Sequence, residues 1–124
     1  MGSDQGPVIL VVEDNPINLE LMVELLEMEG YVVLTANSGE MGITLARQQQ
    51  PNLILMDISL PGMSGLDAVR HLRADPLTQT IPILAVTANA RPADLEAALA
   101  AGCDGFVPKP IDLETMMETI RAHL

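Results

Sequence analysis

The stretch Leu53-Ile54-Leu55-Met56-Asp57-Ile58-Ser59-Leu60-Pro61-Gly62 starts as an unbroken aliphatic run and turns acidic ahead of a Pro-Gly pair. A strand solvated on one face alternates apolar and polar side chains. An unbroken run therefore points to a strand covered on both faces, as in a parallel sheet. The same kind of run occurs at Val8-Ile9-Leu10-Val11-Val12, Tyr31-Val32-Val33-Leu34, Ile83-Leu84-Ala85-Val86 and Gly105-Phe106-Val107.

Longer segments with helical spacing separate these runs. From Pro16 to Glu29, Glu20, Glu24 and Glu27 share one face, and Leu21, Met22, Leu25 and Leu26 the other. Pro16 suits a first turn and Gly30 a stop. A second segment follows Ser38 and carries Leu45-Ala46. A third starts near Gly65 with Leu66 and Val69, and a fourth runs from Pro92 through Leu95, Ala98 and Leu99 to Gly102. The last places Leu113, Met116, Met117, Ile120 and Leu124 on one stripe behind an Asp112 cap. Strands alternating with helices imply an α/β domain of three layers, with helices on both faces of a parallel sheet.

Composition narrows the function. The chain has 124 residues, one domain's worth, and 48 % hydrophobic residues supply a core. A formal charge of −11 and two aromatic residues, Tyr31 and Phe106, argue against direct nucleic-acid binding. No apolar run approaches about 20 residues and no basic-then-apolar leader opens the chain, so neither a membrane span nor a secretory signal is expected. The single cysteine, Cys103, cannot form an internal disulfide and suits a reducing, cytoplasmic compartment. Residues 1–6 are small and polar and read as a flexible lead-in or expression remnant; residues 7–124 are the expected domain.

Ligands of open parallel sheets gather at the carboxyl ends of the strands. Four of the five exits here deliver a chemically useful group: Glu13-Asp14-Asn15, Asp57, Thr87, and Lys109 between Pro108 and Pro110. Alone, each has an ordinary structural reading as a helix cap, a turn residue, a strand-end hydroxyl or a solvated charge. Together they are harder to dismiss, because converging carboxylates repel by about 4 kcal/mol per close pair at an effective dielectric near 20. A hard divalent cation relieves that repulsion. Oxygen ligands without histidine suit magnesium rather than zinc. One carboxylate can then act as nucleophile toward phosphorus, and a lysine and a hydroxyl suit the spreading charge of the transferred group.

In these motifs the chain resembles the receiver domains of two-component response regulators, both chemotaxis-regulator-like stand-alone receivers and receiver modules of hybrid histidine kinases. The marks are Val11-Val12-Glu13-Asp14-Asn15, Leu55-Met56-Asp57 through Pro61-Gly62-Met63-Ser64-Gly65, Val86-Thr87-Ala88, and Phe106-Val107-Pro108-Lys109-Pro110. The resemblance implies a doubly wound, flavodoxin-like sheet in strand order 2-1-3-4-5. It makes Asp57 the phosphoacceptor and Glu13, Asp14, Asp57 and the backbone carbonyl of Ser59 the Mg2+ ligands. Lys109 would pair first with the acceptor and then with the phosphoryl group. Thr87 and Phe106 would form the switch, and the Lys109-Pro110 bond would be cis. Ser59 and Asn89 would tune phosphoryl loss.

The implied donor is a sensor histidine kinase or histidine phosphotransfer protein. The implied target is a protein bound at the face of the fourth helix, fifth strand and fifth helix, with no nucleic acid and no membrane. His71 and His123 read as solvated or helix-end residues. Two other classes fit less well. An aspartate-nucleophile phosphatase would want an acid where Ser59 stands. A flavin module would want a hydroxyl-rich loop where Glu13-Asp14 would repel phosphate. The expected product is a signalling switch rather than an enzyme, apart from its own phosphoryl acceptance and slow dephosphorylation.

Overall fold

The computed structural model describes residues 6–60, 62–88 and 91–124. Strands β1 (Val8–Val12), β2 (Val32–Ala36), β3 (Leu53–Asp57), β4 (Ile83–Thr87) and β5 (Gly105–Pro108) alternate with helices α1 (Pro16–Met28), α2 (Gly39–Gln49), α3 (Gly65–Ala74), α4 (Pro92–Ala101) and α5 (Leu113–His123). The strands form one parallel sheet in the order β2-β1-β3-β4-β5, as expected. The order doubles back beside β1, so the carboxyl ends of β1 and β3 lie next to each other, with Val12 opposite Met56.

Alternating side chains of each strand feed two cores. Ile9, Val11, Leu53, Leu55, Leu84, Val86 and Val107 pack against Met22 and Leu26 of α1 and Met116, Met117 and Ile120 of α5. Leu10, Val12, Ile54, Met56, Ile83 and Ala85 turn the other way. They meet Ala46 of α2, Ala68, Val69 and Leu72 of α3, and Ala98 and Ala101 of α4. Double coverage explains the unbroken aliphatic runs: β3 and β4 are buried along their full length. β2, on one edge, is only half-buried over Val32–Leu34 and begins one residue later than its apolar run suggests.

Four leucines depart from the helical faces read from the sequence, among them Leu113 (38 % exposed) and Leu124 (48 % exposed) at the ends of α5. Leu21 is 46 % exposed and Leu99 54 % exposed, although spacing puts them among buried neighbours. Met116 and Met117 are core, as their spacing indicates.

The lower edge of the sheet is tied by Arg73. Its Nε donates to Gly102 O (2.9 Å), Nη1 to Gln79 O (3.0 Å) and Ile81 O (2.7 Å), and Nη2 to Asp104 Oδ2 (2.7 Å). The same Asp104 oxygen accepts from Ile83 N at 2.8 Å, joining the entries of β4 and β5. Gly102 closes α4 at φ +119°, a left-handed conformation that favours glycine. His123 ends α5 with its two ring nitrogens near Thr119 O (2.8 Å) and Asp104 O (3.2 Å), and His71 is exposed on α3. Among the described residues no helix is long and apolar enough to cross a membrane.

Candidate functional site

The site is built where β1, β3, β4 and β5 run out. After Val12 the chain must start α1, and Asn15 does this from extended backbone: its Oδ1 accepts from Ile17 N (2.9 Å) and Asn18 N (3.1 Å). The same residue's N–H donates to Glu13 Oε2 at 3.2 Å. One capping residue thus launches the helix and turns Glu13 toward the sheet edge. Of Asp14 and Asn15, the two candidates for the cap, Asn15 is the cap and Asp14 remains available.

Asp57 closes β3 and is buried. Its Oδ1 accepts from Ser59 N at 2.9 Å, and its Oδ2 lies 3.2 Å from Lys109 Nζ. Gly65 lets α3 begin directly against this turn. A Cβ at that position would collide with the carbonyl oxygen of Asp57 and with Ile58 Cα. Thr87 closes β4, buried, and its carbonyl accepts from Lys109 N at 2.8 Å. The Lys109-Pro110 bond is cis, as the resemblance implies. Phe106 lies one strand over, in register with Ala85, half-buried against the core shared by α2, α3 and α4.

Glu13, Asp14 and Asp57 each offer an oxygen, all within 4.8 Å of one another. Lys109, the chain's only lysine, bridges the two buried acids, with Nζ 3.3 Å from Glu13 Oε1 and 3.2 Å from Asp57 Oδ2. Three carboxylates against one ammonium leave the cluster negative. Burial is the main reason the Glu13 carboxyl is held above the usual carboxylate range. Asp57 adds to the shift, while the Asn15 N–H and Lys109 oppose it. Burial alone would pull Lys109 down, but Asp57 and then Glu13 outweigh it, so its ammonium is held above the ordinary lysine value.

Glu13 Oε1 is buried and, beyond its ion pair, has no hydrogen-bond partner among the described residues. An orphaned carboxylate oxygen beside two more acids is a donor set for a hard cation, and magnesium fits it. The structure thus brings together Glu13, Asp14, Asp57 and Lys109, with Thr87 at the same edge. Asn89, expected to tune phosphoryl loss, lies outside the described residues, as does Pro61.

Sequence reading missed the wall beside the acids. A cavity of about 460 Å³ opens between α1 and the β5–α5 connection, lined by Asn18, Leu21, Met22, Ala88, Pro110 and Ile111 together with Glu13 and Lys109. Helical spacing puts Leu21 on the covered face of α1 with Met22, Leu25 and Leu26. Only the tertiary placement of Pro110 and Ile111 beside it reveals the cavity.

Comparison with known proteins agrees with this geometry. The family model of the response regulator receiver domain matches residues 9–121. The chain is 40 % identical over 116 residues to the polar-differentiation response regulator DivK of Brucella ovis, covering 94 % of each. Its fold is similar to the chemotaxis protein CheY4 of Vibrio cholerae, with a TM-score of 0.91, 27 % identity and coverage of 95 % and 98 %. It is also similar to the receiver domain of sensor histidine kinase PA1611 of Pseudomonas aeruginosa, with a TM-score of 0.89, 35 % identity and coverage of 95 % and 97 %. That structure is described with a magnesium ion coordinated in its active-site cleft.

Proposed function

Because the chain belongs to the response regulator receiver family, we propose that residues 7–124 act as a receiver domain in which Asp57 accepts a phosphoryl group. The observation that carries this reading is the convergence of Glu13, Asp14 and Asp57, with Glu13 and Asp57 paired to the single lysine. Glu13, Asp14, Asp57 and the Ser59 carbonyl would hold Mg2+. When bound, the ion supplies positive charge to the acid cluster and to the oxygens of the incoming phosphoryl group.

The remaining chemistry belongs to the chain. An Asp57 oxygen bonds to phosphorus while the phosphorus–nitrogen bond of the phosphohistidine donor breaks and its electron pair stays on the imidazole; Lys109, already paired with Asp57, follows the charge onto the phosphoryl oxygens. The Thr87 hydroxyl donates to one of those oxygens. Its movement frees space for Phe106, which biases a two-state equilibrium of the α4–β5–α5 face toward binding a downstream protein. Slow dephosphorylation of Asp57 resets the switch, so the domain signals rather than turning over a substrate.

The donor is a phosphohistidine on a sensor histidine kinase or histidine phosphotransfer protein. It docks on α1, where Ile17 and Met28 are 77 % and 76 % exposed among the acidic residues Glu20, Glu24 and Glu27. A cytoplasmic setting goes with this partner and with the free, buried thiol of Cys103.

Incubation with a small phosphodonor, with and without Mg2+, followed by intact mass measurement tests the assignment. Wild type gains one phosphoryl group only with Mg2+, and Asp57→Asn gains none. An equal gain in Asp57→Asn would remove Asp57 as the acceptor.

A further inference from the structure

The two edges of the sheet are not alike. β5 is short and ends in Pro108, which has no N–H to offer a further strand. β2, at the opposite edge, has neither proline nor a charged residue over Val32–Ala36, and its register with β1 runs from Val8↔Val32 to Val12↔Ala36 without a bulge. Val32 N donates to Pro7 O and Ala36 O accepts from Glu13 N, both at 3.0 Å, so Val32 and Ala36 turn these backbone groups toward β1. By the alternation of a strand, Val33 and Thr35 turn theirs outward, where no further strand lies among the described residues. Thr35 is exposed and Val33 half-buried. Acids stand at both ends of this edge: Glu27 and Glu29 at the close of α1 before it, and Glu40 in the first turn of α2 after it. All three are exposed, and none is in an ion pair among the described residues.

We propose that the β2 edge is a docking site for an extended peptide segment, β-branched in its middle and basic at both ends, which adds to the sheet as a further strand. The outward N–H and C=O groups of Val33 and Thr35 pair with the backbone of the segment, and Glu29 and Glu40 attract its cationic ends. Charge selects this occupant over a second copy of the chain. Antiparallel pairing of two β2 edges would set the Glu29 end of one against the Glu40 end of the other, between two chains each of formal charge −11. A basic segment meets attraction at the same two places. Because the acids are exposed, that attraction is screened by salt. β1 separates the edge from β3 and Asp57, so the site does not depend on Asp57 being the phosphoacceptor.

The probe is a fluorescent, end-blocked peptide with a pair of lysines at each end and valine alternating with threonine between them, titrated into the full chain at low salt and followed by anisotropy. The same peptide with its central amides N-methylated binds about tenfold more weakly, the loss expected for roughly one net hydrogen bond. Thr35→Lys, which sets a like charge on the exposed edge, weakens binding of the lysine peptide. Glu29→Gln and Glu40→Gln each weaken it about two- to fivefold, as exposed ion pairs do. Glu114→Gln, at an exposed acid on α5, leaves it unchanged. Amide hydrogen exchange read by nuclear magnetic resonance slows at Val33 and Thr35 when the peptide is bound, while Val32, already bonded to Pro7 O, is unaffected. Equal binding of the N-methylated peptide, equal weakening by Glu114→Gln, or unchanged exchange at Val33 and Thr35 reduces the contact to unspecific charge attraction and overturns the site. An absence of binding to the lysine peptide overturns it too. Self-association of the protein that protects Val33 and Thr35 without any peptide overturns it in favour of a second copy.

Discussion

Replacing Glu13 by Gln keeps the shape of a buried side chain and removes one negative charge from the acid cluster. Oxygens of Glu13 and Asp57 lie within 4.8 Å of each other, and at an effective dielectric near 20 that spacing gives a repulsion of about 3.5 kcal/mol. Lys109 Nζ at 3.3 Å returns an attraction of about 5 kcal/mol on the same scale. The surplus of about 1.5 kcal/mol does not cover the several kcal/mol that it costs to bury an ion. A net penalty of roughly 1–2 kcal/mol therefore attaches to ionised Glu13 when no cation is bound. The raised Glu13 value has the same sign. A carboxyl whose folded-state value is raised contributes its stability below the ordinary value of 4.5 and loses it as pH rises through the folded value.

Glu13→Gln should therefore melt about 3–8 °C above wild type in chelator near neutral pH. The difference should shrink toward zero as the solution is acidified and wild-type Glu13 takes up its proton. Mg2+ should raise the melting temperature of wild type more than that of the variant, because only wild type retains the full ligand set. Thermal unfolding followed by far-ultraviolet circular dichroism, over a pH series with and without Mg2+, reads all three effects. A variant less stable than wild type in chelator near neutral pH would refute the reasoning, since Lys109 would then outweigh burial.

Other perturbations reach different parts of the molecule. Arg73→Ala removes the four hydrogen bonds that tie α3 to the entries of β4 and β5, and should cost about 2–3 kcal/mol in urea unfolding; a loss under about 0.5 kcal/mol would show the knot to be idle. Gly65→Ala presses a methyl group into the backbone of Asp57 and Ile58, so it should lose about 1–3 kcal/mol and slow phosphoryl acceptance together; normal stability with normal acceptance would mean that α3 can shift freely. Burial pushes the Cys103 thiol up to about 11, so near pH 8 the native protein should react with a thiol reagent about a hundredfold more slowly than the urea-unfolded chain. Equal rates would mean that Cys103 opens readily to solvent.

The parallel sheet was legible because burial on both faces leaves its mark within each strand, and β3 and β4 are aliphatic for that reason. The acids were legible because strand ends in such sheets converge, so Asp57 and Glu13 could be paired across many intervening residues. What the sequence concealed depends on relative placement. Leu21 and Leu99 have the spacing of buried residues, yet the folded chain leaves them 46 % and 54 % exposed. The backbone N–H groups of Asn15 and Ser59, which orient the two buried acids, belong to every residue type and leave no trace in side-chain identity. Gly65 marked the start of a helix, while the collision that an added Cβ would cause is visible only once α3 rests on the turn after β3.

With a single lysine in 124 residues, the ion pairs of Lys109 turn the protein into its own reporter. Apart from the α-amino group, an acylating reagent finds one amine, and that amine is a protonated ammonium clasped between Glu13 and Asp57. Its rate of acylation therefore measures the occupancy and charge of the pocket. Cation binding or phosphorylation, by redistributing the negative charge around Nζ, changes a single peak in a mass spectrum without any label having been engineered into the chain.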